Sequence, residues 1–112
     1  MLIDETYRSI AQNIIDSIDS SWDKAVLNIE VVAGDTIGFN GEYIIDGEHV
    51  SFKFRNFDRR KLSRDGKSLH KVTTKNDSNI WNKAKFTLYP TGKFNIEFEW
   101  DQALEDEVNA NS

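Results

Sequence analysis

Apolar residues recur along this chain with two periods, and each change of period marks an element. Ile3, Tyr7, Ile10, Ala11, Ile14 and Ile18 fall three or four residues apart, the spacing that lines one face of a helix. This predicts an amphipathic helix over residues 4–19. Asp4 and Glu5 suit its positive N-terminal end, Ser20-Ser21 ends it, and Trp22 is expected to close that end against the sheet. From Lys24 the period is two: Leu27, Ile29, Val31 and Ala33 share one face of a strand over residues 24–33. Gly34-Asp35 signals a turn. Ile37, Phe39 and Tyr43 mark a second strand, weakened by Gly38 and Gly41. Asp46-Gly47 is the strongest hairpin signal, because both residues tolerate the positive φ of a type I′ turn. A third strand runs from His49 to Arg55, with Val50, Phe52 and Phe54 facing one way.

The alternation then stops. Residues 53–82 form a basic stretch whose aliphatic anchors are Leu62, Leu69, Val72 and Ile80, interrupted by Asp65-Gly66 and Asn76-Asp77. The expectation is an irregular excursion or a weak helix. Alternation returns over Ala84–Tyr89 and Lys93–Trp100, joined by Pro90-Thr91-Gly92. Ala84, Phe86, Leu88, Phe94, Ile96, Phe98 and Trp100 are expected on the inner face. Residues 102–109 fit a short helix with Leu104 and Val108 on its buried side, within an acidic tail over 105–112. The fold expected is a single α+β domain over residues 1–112. It has an antiparallel sheet of about five strands, an N-terminal amphipathic helix packed on one face and a short C-terminal helix.

Composition narrows the chemistry. The 112 residues include no cysteine, which excludes a disulfide framework and any thiolate metal site and fits a reducing cytosol. The first residues show neither a basic n-region nor an apolar h-region, and no run is long enough to span a bilayer. A cytoplasmic protein is expected. The net charge is −5, unevenly spread: residues 53–75 carry nine bases and two acids, whereas residues 1–52 carry ten acids and two bases. Such separation favours a charged, electrostatically steered partner over a small apolar ligand.

Enzymatic signatures are absent. His49 and His70, the two histidines, have no partner at ligand spacing, and carboxylates on alternate strand residues diverge rather than converge on a cation. No metal or cofactor is expected. Glu97 and Glu99 look equally exposed, so nothing pushes their pKa values apart as paired-carboxylate hydrolysis requires. No G-x-S-x-G turn and no phosphate-binding glycine loop occurs. The chain is read as a binding protein without catalytic residues.

Two surfaces are candidates. Glu97, Glu99 and Asp101 share one strand face, and Glu105 follows. Beside Trp81, Tyr89 and Trp100 they could meet a basic protein. The alternative surface is Arg55, Arg59, Arg60, Lys61 and Arg64, which with Phe54, Phe57 and His70 resembles the basic, aromatic make-up of small nucleic-acid-binding or regulatory modules. The acidic flanks oppose a phosphate backbone, so nucleic acid is the weaker expectation. An edge strand leaves a homo-oligomer open.

The C-terminal hairpin also carries a resemblance. Trp81, Phe86-Thr87-Leu88, Gly92-Lys93-Phe94, Ile96, Phe98 and Trp100-Asp101 resemble the ending of YezG-type immunity proteins of bacterial polymorphic toxin and contact-dependent inhibition systems. Ser21-Trp22-Asp23-Lys24-Ala25-Val26 resembles the family's entry into its first strand. The match is close over residues 81–101 and looser over the first 33. The family has a helical, acidic or mixed stretch before its tryptophan, where this chain is basic and broken by turn residues. The resemblance implies a cytosolic antitoxin. Such a protein binds a cognate toxin domain, often a nuclease, at its active cleft or an exosite, and has no catalytic residues of its own.

Overall fold

The two periods become one sheet and three helices in the computed structural model, which describes residues 3–33, 36–74 and 80–110. The elements are α1 (Ile3–Ser17), β1 (Lys24–Ala33), β2 (Thr36–Ile45), β3 (Glu48–Ser51), a 3-10 turn (Phe54–Asn56), α2 (Arg59–Thr73), β4 (Lys83–Leu88), β5 (Phe94–Glu99) and α3 (Gln102–Ala110). The strand order is β3-β2-β1-β4-β5, antiparallel at every step. The expected α+β fold of five antiparallel strands with N- and C-terminal helices is therefore present. The turns expected at Gly34-Asp35 and Asn76-Asp77 lie outside the described residues.

β1 is central, and its alternation is the cleanest. Ala25, Leu27 and Ile29 are fully buried, facing Ala84, Phe86 and Leu88 of β4 in register. Ile10 and Ile14 of α1 close over them. The β2–β3 hairpin turns at Asp46 (φ 51°) and Gly47 (φ 80°), as a type I′ turn requires. Gly41 is needed for a different reason: a Cβ there would lie 2.2 Å from the Val26 carbonyl oxygen and 2.9 Å from the Phe52 ring. The third strand is shorter than expected. After Ser51 the Phe52 N–H donates back to the Gly41 carbonyl at 3.1 Å, and Phe52, Phe54 and Phe57 fold together as a ring cluster.

Two expectations are corrected. The basic stretch 53–82 is not an irregular excursion: it holds a regular 15-residue helix, α2. Asp65-Gly66 does not break it, because both residues belong to its buried stripe with Leu62 and Leu69, at i, i+3, i+4 and i+7. Gly66 brings the helix close to β2, where a Cβ would meet Phe39 at 3.1 Å and Ile37 at 3.2 Å. Asp58 caps α2, its side chain accepting from the Lys61 N–H at 3.1 Å. Val72 and Ile80 are exposed rather than anchors. The second correction concerns β5. Phe94 and Trp100 are 41% and 44% exposed, not core. β5 is an edge strand beyond most of the helical cover, and α1 reaches it through Tyr7, whose ring lies 5.3 Å from that of Phe94.

Candidate interaction surfaces

The acidic candidates fall into three settings. Glu97 and Glu99 project from the outer face of β5, exposed. The β4–β5 register sets them opposite Lys85 and Lys83. With Asn28, Glu30 and Asn40 they line a shallow concavity of 580 Å³ on the outer sheet face. Four carboxylates, counting Asp101 at its rim, face two lysines there, so the patch stays acidic.

Asp101 is held by its neighbours. One carboxylate oxygen accepts from the Leu104 N–H at 3.1 Å, which caps α3, and the other sits 2.7 Å from Lys83 Nζ. The Lys83 hydrogen bond and then the Leu104 N–H hold its pKa below the ordinary aspartate value, and the same bond to Asp101 raises that of Lys83. The Asp101 backbone is clamped as well, by the buried side chain of Asn82. Glu105 faces elsewhere: half-buried on α3, it lines a separate recess of 360 Å³ with His70, Trp81, Trp100 and Val108. The structure thus joins Glu97 and Glu99, puts Asp101 beside them in a structural role, and does not bring Glu105 to the same patch.

The basic candidates are gathered more tightly. Arg59, Arg60 and Arg64 are exposed on α2, Lys61 is half-buried, and Arg55 is exposed on the preceding 3-10 turn. Helical spacing adds Lys67 and Lys71 to the same exposed face, along a groove of 750 Å³. Both belong to the basic stretch over residues 53–75, and the helix is what sets them beside Arg60 and Arg64. The one acid within α2, Asp65, points inward and is fully buried. It accepts from the Ser9 hydroxyl of α1. Its other oxygen lacks a hydrogen bond, with Arg64 Nε at 3.8 Å.

The histidines serve the fold. His70 Nε2 lies 3.1 Å from the Trp81 carbonyl oxygen and its ring meets the Trp81 face edge-on; the Trp81 indole N–H donates to Thr73 Oγ1 at 2.7 Å. These contacts dock the C-terminal end of α2 beside β4. His49 pairs with Glu42 across the β2–β3 hairpin at 3.0 Å. Among the described residues no three His, Asp or Glu side chains group as metal ligands would. Among them, too, no helix is long and apolar enough to cross a membrane.

What this arrangement offers is charged surface on a rigid α+β frame. A search of curated proteins finds no match. The model of a family described as immunity protein YezG-like matches residues 3–112, which takes in every element above. An immunity function goes with that family, with a protein toxin in general as the partner. With nearly its whole length matched, the chain belongs to the YezG-like immunity protein family.

Proposed function

We propose that this chain protects its own cell, in the cytoplasm, by binding the toxin domain of a polymorphic or contact-dependent inhibition system. The toxin is a nuclease, and the chain presents the acidic outer face of β5 to the surface that otherwise holds nucleic acid. The observation that carries this reading is the placement of Glu97 and Glu99 side by side on an exposed face with Glu30 and Asp101 around them. A nuclease surface is basic because its substrate is anionic, so such a face steers the two proteins together and competes for the same charges. Asp101 supports the patch by fixing Lys83 rather than by contacting the toxin.

A second reading places the contact on α2. It is favoured by the basic face of Arg59, Arg60, Arg64, Lys67 and Lys71, which contains no exposed carboxylate. That face suits an acidic exosite, or nucleic acid held as a regulatory ligand. One experiment separates the readings: survival of cells expressing the toxin domain together with variants of this chain. Glu97→Lys/Glu99→Lys should abolish protection and Arg60→Glu/Arg64→Glu should spare it. The reverse pattern moves the contact to α2. Full protection by both variants contradicts both surfaces.

A further inference from the structure

The free edge of β5 has a geometry that fits a second copy of itself. The Tyr89 N–H donates to the Lys93 carbonyl at 2.9 Å, which makes residues 89 and 93 a hydrogen-bonded pair of the β4–β5 ladder. Such pairs alternate along an antiparallel ladder. The N–H and C=O groups of residues 95, 97 and 99 therefore point to β4, and those of Phe94, Ile96 and Phe98 point away from the sheet. β5 ends the strand order β3-β2-β1-β4-β5, so no further strand of the chain lies on that side of it among the described residues.

We infer that β5 is a self-pairing edge: two copies of this chain join their β5 strands antiparallel about a two-fold axis at Ile96, forming a continuous ten-stranded sheet. In this register Ile96 pairs with its own symmetry mate and Phe94 with the second copy's Phe98. Every outward backbone group of the three residues then finds a partner. The inner face gains an apolar seam from side chains that are now half-exposed, Phe94 at 41%. On the outer face Lys93 sits opposite the second copy's Glu99, and Asn95 opposite its Glu97. Moving the axis one residue to Glu97 would set that carboxylate against itself, a like-charge pair directly opposite, which is unfavourable. Charge thus selects the register as well as the partner. The axis is perpendicular to the sheet, so both helical layers stay on one side and both acidic faces on the other.

Sedimentation equilibrium of the full chain over a wide concentration range tests this. The wild type should be a dimer in equilibrium with monomer. Lys93→Glu and Glu99→Lys each turn two symmetry-related attractions into repulsions, so each alone should weaken dimerisation roughly tenfold or more. Mixed in equal amounts they should recover a heterodimer, because each repulsive pair becomes attractive. Ile96→Pro removes an N–H that the monomer does not use. It should be monomeric with an unchanged far-ultraviolet circular dichroism spectrum. A wild type that stays monomeric at every concentration overturns the proposal. So does a dimer indifferent to the two charge variants and to their mixing. Glu99 also belongs to the proposed toxin-facing patch, so dimerisation is judged by sedimentation alone, with Lys93→Glu and Ile96→Pro as the variants outside that patch, and toxin protection is scored separately.

Discussion

The side chain of Asn82 makes two hydrogen bonds to the backbone of Asp101: its amide donates to the Asp101 carbonyl at 2.8 Å and its oxygen accepts from the Asp101 N–H at 2.7 Å. Asn13 does the same to Asp58, at 2.9 Å in each direction. Both asparagines are buried, and both aspartates cap the helix that follows. Each clamp therefore fixes where a helix begins, α2 against α1 through Asn13 and α3 against the start of β4 through Asn82. Replacing Asn82 with Ala strands the Asp101 N–H, at ~1–3 kcal/mol, whereas the Asp101 carbonyl still accepts from the Glu105 N–H at 3.2 Å. Urea denaturation should show a loss of about 1–3 kcal/mol for Asn82→Ala, and a similar loss for Asn13→Ala, since the Asp58 carbonyl likewise keeps the Leu62 N–H.

Acid should act on the Lys83–Asp101 pair. The folded-state pKa of Asp101 lies below its ordinary value, chiefly through the Lys83 hydrogen bond. Its contribution to stability is present above the unfolded pKa and is lost as pH falls through the folded one. Lys83 is shifted upward, so its share is present below the ordinary lysine value and is lost as pH rises through the folded one. Thermal unfolding of Asp101→Asn should show a shallower fall at the acid end than the wild type. Equal slopes would remove the pair from the account.

Gly66 sets the distance between α2 and β2. Valine there adds three carbons toward Phe39 and Ile37, which already lie 3.1 Å and 3.2 Å from where the first would sit. Overpacking of this kind costs about 1–3 kcal/mol. Gly66→Val should lower the unfolding midpoint accordingly, although valine is the better helix former of the two.

Ser9 supplies the hydrogen bond to the buried Asp65 carboxyl across the α1–α2 interface. Ser9→Ala leaves both oxygens without one, at a cost of about 1–3 kcal/mol. In the Asp65→Leu background the same serine change should cost much less, because the group that needed the donor is gone. A double-mutant cycle measures the difference.

Much of the fold was legible because two residue spacings are hard to mistake. The run Leu27-Ile29-Val31 and the pair Phe86-Leu88 read as strand faces, Ile10-Ile14 as a helix face, and Asp46-Gly47 as a hairpin. α2 was not legible because its buried stripe is half polar. Asp65 and Gly66 stand where apolar residues would have revealed the period, and Asp-Gly is ordinarily a turn. The readable signal was Asp58 as a cap, followed by Leu62 and Leu69 seven residues apart. Edge position was equally hidden, since alternation tells which way Phe94 and Phe98 point but not how much of the helical layer covers them. The acidic patch was legible in Glu97 and Glu99. Extending it to Asp101 carried the alternation past the end of the strand, where Asn82 and Lys83 hold that residue for the fold. No pattern in the sequence pairs residue 82 with residue 101.

The central claim is that this chain neutralises a toxin domain by binding it. The most direct test is to co-express the chain with the C-terminal domain encoded by the reading frame immediately upstream of its gene, and to follow survival and the purified complex together. The account predicts that the domain kills when expressed alone, that the chain restores growth, and that the two purify as a one-to-one complex. A domain that kills equally with and without the chain, while the chain purifies in a salt-sensitive complex with nucleic acid, would contradict it.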